Sequence, residues 1–189
     1  MMYERKDFYY RRAKEEGFRA RSAYKLLEIQ KKYGIIPPDS DVLDIGCAPG
    51  SWAQVARTLT HGRVVGVDLV PMDRISGVLF IQGDVRDTEV QKQLGTFNVI
   101  LSDTAPKTSG TKVQDQFLSL ELSQQSFMIA KKHLRKNGAL VVKTFQSQET
   151  EELIKEIKQE FDFVKRYTPQ ATRHGSKEIY IIATGFRKA

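Results

Sequence analysis

The chain has 189 residues, 40% of them hydrophobic, which is enough for one well-buried core and too few for two ordinary domains. A formal net charge of +7 favours a polyanionic partner. One cysteine and three scattered histidines argue against a disulfide or a metal site. The sequence has no run of about 20 apolar residues, which argues against a membrane span. We therefore expect a cytoplasmic protein.

Positive charge and aromatic side chains are concentrated at the start of the chain. We expect one domain, in which a basic helical extension at 1–36, with a helix at 22–33, precedes a core at 37–189. Cations for phosphates and aromatic faces for bases suit single-stranded or distorted RNA, whereas a solvated helix that only covers the domain is the alternative. The residues concerned are Arg5, Lys6, Arg11, Arg12, Lys14, Arg19, Arg21 and Lys25, with Tyr3, Phe8, Tyr9, Tyr10, Phe18 and Tyr24.

Strand-like and helix-like patterns alternate from residue 41 onward. Short apolar runs rich in Val, Ile and Leu predict strands, and apolar residues three or four positions apart predict helices. Their alternation predicts a parallel, doubly wound α/β sheet. The expected strands are 41–45, 63–68, 78–82, 97–102 and 139–144, and the expected helices are 51–59, 88–94 and 115–136, the last of them ending at Asn137-Gly138.

The end of the chain departs from this alternation. A helix at 149–160 is followed by strands near 162–168 and 178–185, with only a polar loop between them. Two strands joined without a helix predict an antiparallel hairpin. A mostly parallel sheet with a terminal antiparallel strand is more typical of a Rossmann-like methyltransferase fold than of a dehydrogenase fold.

The segment DIGCAPGSW, at 44–52, joins the first predicted strand to the helix at 51–59 and lies where doubly wound sheets bind nucleotides. Gly46 and Gly50 allow the backbone to approach a ligand closely. The spacing differs from the G-x-G-x-x-G of dinucleotide-binding proteins, because Ala-Pro precedes the second glycine. This difference disfavours a nicotinamide oxidoreductase.

Two acidic residues follow the next two strands. Asp68 can accept hydrogen bonds from both ribose hydroxyls of an adenosine, and Asp84 from the adenine amine. Either residue alone is more often a helix cap or a turn residue. Together with the loop they predict a ligand with adenine and ribose but no phosphate, which fits S-adenosylmethionine better than NAD. Trp52 is either a contact of this ligand or a core residue.

Three more charged residues are expected at the same edge of the sheet. Asp103 follows the fourth strand, Lys143 ends the fifth, and Glu178 begins the last strand, whose amino end meets this edge if it is antiparallel. A charge attached to an apolar strand must reach water or be paired. The alternatives are a reactive group beside the cofactor and a plain Asp103–Lys143 salt bridge.

Ordered motifs extend along nearly the whole chain. They are 19–26 (RARSAYKL), 43–52 (LDIGCAPGSW), 68–73 (DLVPMD), 82–84 (QGD), 102–103 (SD), 142–146 (VKTFQ) and 176–180 (SKEIY). In this order they resemble the FtsJ-type, or RrmJ-type, ribosomal RNA methyltransferases. The resemblance implies transfer of a methyl group from S-adenosylmethionine to a uridine 2′-hydroxyl of large-subunit ribosomal RNA.

The resemblance also implies roles for individual residues. The family's Lys-Asp-Lys-Glu tetrad corresponds to Lys25, Asp103, Lys143 and Glu178, and its cofactor contacts correspond to Gly50, Trp52, Asp68, Asp84 and Asp103. Lys143 is then the base, or an orienting donor if it remains protonated, while Lys25 positions the ribose hydroxyl and the two acids hold the lysines. We expect a monomer.

Two positions depart from the family pattern. Ser51 stands where many relatives have a second glycine, and Thr104 stands where many have methionine. Neither change removes a proposed functional side chain, so we expect activity to be retained. We expect no appended RNA-binding domain after the last strand, and we therefore expect the basic extension to contribute more of the RNA binding.

Other functions stay open on the sequence. The same chemistry on a tRNA anticodon loop, an mRNA cap or another RNA is the nearest alternative, because the tetrad acts on a ribose and does not read the base. A non-catalytic RNA-binding or assembly factor is a second one. Such a factor is expected to have lost members of the tetrad, yet all four are present.

Overall fold

The apolar runs of the sequence form a seven-stranded sheet in the computed structural model, which describes residues 8–106 and 111–187. The strands are β1 (Val42–Ile45), β2 (Val64–Asp68), β3 (Val78–Gln82), β4 (Phe97–Ser102), β5 (Leu134–Phe145), β6 (Phe161–Tyr167) and β7 (Glu178–Phe186). Their order in the sheet is β3-β2-β1-β4-β5-β7-β6. The pairs among β1 to β5 are parallel, whereas β7 is antiparallel to both β5 and β6. The predicted sheet and its terminal hairpin are confirmed.

Helices cover both faces of the sheet. They are α1 (Phe8–Glu15), α2 (Ala23–Tyr33), α3 (Ser51–Leu59), α4 (Thr88–Leu94), α5 (Lys112–His133) and α6 (Gln148–Glu160). Apolar residues of α2 and α3 pack with β-strand residues in one buried cluster, and those of α4, α5 and α6 pack with the opposite strand residues in another. Helices on both faces make this the doubly wound, Rossmann-like arrangement that the alternating pattern predicts. No helix in the described part of the chain has the length and apolar character needed to cross a membrane.

The amino-terminal segment lies against the face that carries α2. Ala13 of α1 is buried with Tyr24 and Ala171, and the ring of Tyr9 lies 5.5 Å from that of Tyr24. The predicted helix at 22–33 is confirmed as α2. Tyr3, Arg5 and Lys6 of the basic segment lie outside the described residues.

The junction between α5 and β5 differs from the prediction. The helix ends at His133 and the strand begins at Leu134, so Asn137-Gly138 is not a helix terminus. Asn137 has a φ of 63° and lies in β5, where the pairing with β4 shifts from Phe97↔Leu134 to Val99↔Ala139. An Asn-Gly pair tolerates a left-handed backbone equally in a helix cap and in a strand bulge, and the sequence pattern does not distinguish the two.

Replacing Gly138 by alanine is expected to destabilise this bulge. A Cβ atom there would lie 2.8 Å from the carbonyl oxygens of Arg135 and Asn98, which belong to backbone that cannot simply rotate away. Overpacking of this kind costs about 1–3 kcal/mol, so Gly138→Ala should lower the free energy of unfolding in urea by that amount. Lys136→Ala, at an exposed position of the same strand, is the matched control. Equal unfolding curves for the two variants would contradict the bulge.

Candidate active site

A cleft of about 640 Å³ opens at the carboxyl edge of the parallel strands. In doubly wound sheets this edge is where ligands bind. The lining residues follow β1, β2, β3 and β4 or project from α5, and they include Gly46, Ala48, Asp68, Gly83, Asp84, Arg86, Asp103, Thr104, Leu118, Glu121 and Gln125. The structure therefore brings four of the predicted site residues, Gly46, Asp68, Asp84 and Asp103, to one cavity.

Glycine is required at two positions of the loop between β1 and α3. Gly46 has a φ of 71°, and a Cβ atom on it would collide with the side chain of Thr104. Gly50 has a φ of 107°, and a Cβ atom there would lie 2.5 Å from Cδ1 of Ile75. Gly50 caps the start of α3 and is not among the residues that line the cleft. Thr104, one of the departures from the family pattern, thus packs directly against the loop.

Asp68 fixes the loop between β1 and α3 by hydrogen bonds. Its Oδ2 accepts a hydrogen bond of 2.8 Å from the backbone N–H of Ala48, and its Oδ1 accepts one of 2.9 Å from that of Val70. Each carboxylate oxygen has a second lone pair that these bonds leave unused. The residue therefore shapes the cleft and keeps acceptor capacity for a ligand.

Asp84 is already engaged by a neighbour. Both of its oxygens accept from the guanidinium of Arg86, with Nε at 2.9 and 3.0 Å and Nη2 at 2.5 Å from Oδ2. This guanidinium holds the pKa of Asp84 below its usual value. An anionic carboxylate thus stands at the rim of the cleft, with Arg86 beside it.

Trp52 lies behind the loop, away from the cleft. Its side chain is 2% exposed, its Nε1 donates a hydrogen bond of 2.8 Å to the carbonyl oxygen of Ser22, and its ring centroid lies 5.7 Å from that of Tyr180. It belongs to the apolar cluster between α2, α3 and the sheet. These contacts fit the alternative of a core residue, and a direct contact of Trp52 with a cofactor stays a prediction.

The four residues of the expected tetrad form two ion pairs. Nζ of Lys143 lies 3.0 Å from Oδ1 of Asp103 and also donates a hydrogen bond of 2.7 Å to the Asp103 carbonyl oxygen. The ammonium of Lys25 pairs with the carboxylate of Glu178. Lys143 is only 6% exposed, and Lys25 is also buried. Residues from α2, β5, β7 and the loop after β4 are thereby brought together at one edge of the sheet.

Tyr180 connects the two ion pairs. Its hydroxyl donates a hydrogen bond of 2.6 Å to Oδ1 of Asp103, and Nζ of Lys25 lies 5.6 Å from the centre of its ring. Burial, together with Asp103 and Glu178, raises the pKa of Tyr180 well above its usual value, so the phenol stays a neutral donor. The sequence held a signal for this residue, because side chains two apart on a strand share a face and Tyr180 is two residues after Glu178.

Asp44 is a second residue that sequence reasoning did not assign to the site. Its side chain is 0% exposed, and neither carboxyl oxygen has a hydrogen-bond partner of ordinary geometry among the described residues. Burial, with the nearby Asp103 and Asp68, raises the pKa of Asp44 well above its usual value, which the backbone N–H of Ala53 opposes. Asp44 is therefore a buried acid beneath the loop whose neutral form is favoured by its surroundings.

The lone cysteine lies beside this acid. Burial, with Asp44 and Asp68, raises the pKa of the Cys47 thiol, so it is not a thiolate nucleophile at neutral pH. Within residues 8–106 and 111–187, no three His, Cys, Asp or Glu side chains are grouped so that they could hold a metal ion.

Arg19 fastens the amino-terminal segment to the cleft. Its Nη1 donates to the carbonyl oxygens of Pro49 at 2.9 Å and Asp73 at 2.7 Å, and its Nη2 donates to that of Arg74 at 3.0 Å. Ser22 and Ser51 add a hydroxyl–hydroxyl hydrogen bond of 2.6 Å. The loop after β1 and the loop after β2 are thus tied to residues that precede α2.

Comparison with known proteins gives consistent matches. The model of the FtsJ-like methyltransferase family matches residues 18–186. A protein of Methanoregula boonei is 47% identical over 186 residues, covering 96% of each chain, and one of Syntrophobacter fumaroxidans is 44% identical over 197 residues, covering 100% of each. Both are named ribosomal RNA large subunit methyltransferase E. A crystal structure from Plasmodium falciparum, provisionally described as a ribosomal RNA methyltransferase, has a TM-score of 0.79 and 30% identity, over 91% of this chain and 100% of that one.

Asp44 is expected to make stability depend on pH. The folded state holds the proton of this carboxyl to higher pH than the unfolded chain, which releases it near the ordinary value of 3.8. Rising pH therefore favours unfolding, by about 1.4 kcal/mol per pH unit between the two pKa values. Asp44→Asn removes this dependence. The free energy of unfolding of the variant, relative to that of the wild type, should therefore increase as pH rises above 4.

Urea unfolding at a series of pH values measures this gain. A pH-independent difference in free energy of unfolding between the two proteins reports only the effect of burying an amide. The readout is therefore the change of this difference with pH. Asp39→Asn, at an exposed position, is the control and should show no such slope. A difference between wild type and Asp44→Asn that does not change with pH would show that Asp44 is ionised in the folded protein.

Proposed function

Since this chain belongs to the FtsJ-like methyltransferase family, we propose that it transfers the methyl group of S-adenosylmethionine to the 2′-hydroxyl of a uridine in large-subunit ribosomal RNA. The observation that carries the proposal is the pair of buried lysine–carboxylate contacts beside the cleft, Lys143 with Asp103 and Lys25 with Glu178. The names of the relatives, which specify the large ribosomal subunit, support the choice of substrate.

The cleft fits S-adenosylmethionine by size and by the chemistry of its lining. Its volume of about 640 Å³ lies in the range of small-molecule sites. Asp68 has lone pairs for the two ribose hydroxyls. Asp84 would accept from the adenine amine in exchange for part of its contact with Arg86. Gly46 brings the backbone close to the ligand without a side chain in the way. The bound cofactor supplies an electrophilic methyl group on a sulfonium.

The chain's own groups then have to position one oxygen and manage one proton. Lys143 acts on the 2′-hydroxyl as base, or as orienting donor while it is protonated. Asp103, itself held by Tyr180, fixes the position of the Lys143 ammonium. Lys25 orients the ribose hydroxyl, and Glu178 holds Lys25.

The amino-terminal extension at 1–36 is proposed to bind RNA beside the catalytic core at 37–189, within a single domain. Arg11, Arg12 and Lys14 of α1 are exposed to solvent, and so is the aromatic ring of Phe8. Such a surface offers cations to phosphates and a flat apolar face to a base. We further propose that the protein acts as a monomer in the cytoplasm.

The reaction is tested by methyl transfer from labelled S-adenosylmethionine to large ribosomal subunits that lack the modification, with the modified position mapped. Wild type should label one ribose 2′-oxygen. Lys143→Ala should reduce the rate by about 10²–10⁴-fold, the usual range for a proton-transfer group. Lys136→Ala is the control, because it removes an exposed lysine at the opposite end of the same strand.

Transfer to the base, or equal rates for the two variants, would contradict the proposed chemistry. Free ribosomal RNA and tRNA serve as alternative substrates in the same assay. Transfer to tRNA with none to ribosomal particles would keep the chemistry and replace the substrate.

Lys143→Arg separates the two roles of Lys143. A guanidinium donates hydrogen bonds but does not deprotonate, so it can orient the hydroxyl and cannot act as base. If Lys143 is the base, Lys143→Arg should be as inactive as Lys143→Ala, and the wild-type rate of the chemical step should rise with pH. Substantial activity of Lys143→Arg, with no rise of the wild-type rate with pH, would assign the orienting role.

A further inference from the structure

A cluster of aromatic and basic side chains lies at the edge of the sheet formed by β6. The ring of Tyr33, at the end of α2, lies 5.5 Å from that of Tyr167 and 6.3 Å from that of Phe163. Nζ of Lys32 lies 4.3 Å from the centre of the Tyr167 ring. With Lys165, these five residues form what we call the edge patch.

The alternation of β6 explains why these residues share a surface. Phe163, Lys165 and Tyr167 are two positions apart, so their side chains project from the same face of the strand. β6 is the last strand of the sheet, and no described strand pairs with its outer side. The last turn of α2 adds Lys32 and Tyr33 to this face.

The edge patch continues the face that carries the catalytic residues. Tyr180 of β7 is paired with Lys143 on one side and with Tyr167 on the other. Neighbouring strands are about 4.8 Å apart, so the backbones of Lys143 and Tyr167 are separated by about 10 Å. From Tyr167 the patch runs along β6 for about 13 Å to Phe163. RNA that places a ribose at Lys143 therefore has the edge patch within reach of its neighbouring nucleotides.

Packing alone accounts for only part of the patch. Tyr33 and Tyr167 are half-buried and join α2 to the sheet, and the Tyr167 hydroxyl donates to the carboxylate of Glu28. Phe163, in contrast, is 45% exposed, and two lysines of the same patch, Lys32 and Lys165, are exposed as well. A large apolar ring left in water on one surface with two lysines is a composition that suits a base and its phosphates.

The charges of this face are available to an anion. Lys165 forms no ion pair with a described residue, whereas Asp162 and Arg166 on the opposite face of the same strand are paired with Arg187 and Glu151. Glu28, which contacts the patch at Tyr167, accepts hydrogen bonds from the Tyr167 hydroxyl and from the backbone N–H of Gln170. Burial raises the pKa of Tyr33, and burial with Glu28 raises the pKa of Tyr167 to about 12, so neither phenol adds a negative charge.

We propose that the edge patch binds single-stranded RNA next to the target nucleotide, with a base on the exposed ring of Phe163 and phosphates at Lys32 and Lys165. This inference rests on the proposed function, since it assumes that the ribose at Lys143 belongs to RNA. The surface differs from the exposed face of α1 proposed above, because it is built from the end of α2 and from β6.

Fluorescence anisotropy of a labelled oligouridylate, measured on the full chain, tests the patch. Phe163→Ala and the double variant Lys32→Gln/Lys165→Gln should each weaken binding by about fivefold to tenfold, while Phe163→Tyr should retain it. The double variant should also reduce the slope of log affinity against log salt by about 1.4, as expected for two lost phosphate contacts. With ribosomal RNA as substrate, KM should rise and kcat should stay unchanged.

Two matched variants serve as controls. Met128→Ala removes another exposed apolar side chain, and Lys155→Gln/Lys158→Gln removes the same charge from α6 on the other face of the sheet. Both should bind the oligouridylate as the wild type does.

The outcomes separate the patch from the proposed function. If wild type methylates and binds RNA but the patch variants behave as the controls, the patch is not an RNA contact. If only the lysine variant loses affinity, the stacking role of Phe163 is wrong. If Phe163→Ala instead dissociates a dimer in sedimentation, the surface pairs with a second copy of the chain and the proposal fails. Absence of RNA binding and methyl transfer by wild type would refute the proposed function itself.

Discussion

The antiparallel pairing of β5 with β7 determines which residues meet at the active edge of the sheet. It sets Lys143 opposite Tyr180 and Phe145 opposite Glu178, so that groups from distant parts of the sequence share one face. A shift of one residue would turn Glu178 and Tyr180 towards α6. Such a shift would separate the Tyr180 hydroxyl from Asp103 and the Glu178 carboxylate from Lys25, and it would turn both polar groups towards the apolar cluster on the other face. Burying polar groups without partners is costly, so these contacts favour the observed register.

The acidic side chains at this edge of the sheet are compensated by neighbouring groups. Asp103 accepts from a lysine and a phenol, Asp68 accepts from two backbone N–H groups, and burial raises the pKa of Asp44. A buried charge left without a partner costs several kcal/mol, and these three acids avoid that cost in three different ways. The lysines are held in place by the same contacts. Positioning and charge compensation are therefore supplied by one set of side chains.

Much of the fold could be predicted from the sequence because its strands are short apolar runs with polar or charged residues at their ends. The strand ends predicted five site residues, and the structure places all five at one edge of the sheet: Asp68, Asp84, Asp103, Lys143 and Glu178. Asp44 was missed because it lies inside a strand, and Tyr180 because an aromatic residue in a strand first indicates packing. The end of α5 was misplaced because Asn-Gly suits two backbone conformations. The edge patch depends on contacts between α2 and β6, which local patterns do not contain.

The hydrogen bonds of Arg19 determine whether the amino-terminal extension can be removed by truncation. This residue precedes α2 in sequence, yet it ties the loop after β1 to the loop after β2. Removing the first 36 residues would therefore take away three hydrogen bonds that support the cleft, together with Lys25. The extension is not a detachable module, and a truncated chain cannot be used to study methyl transfer apart from RNA binding.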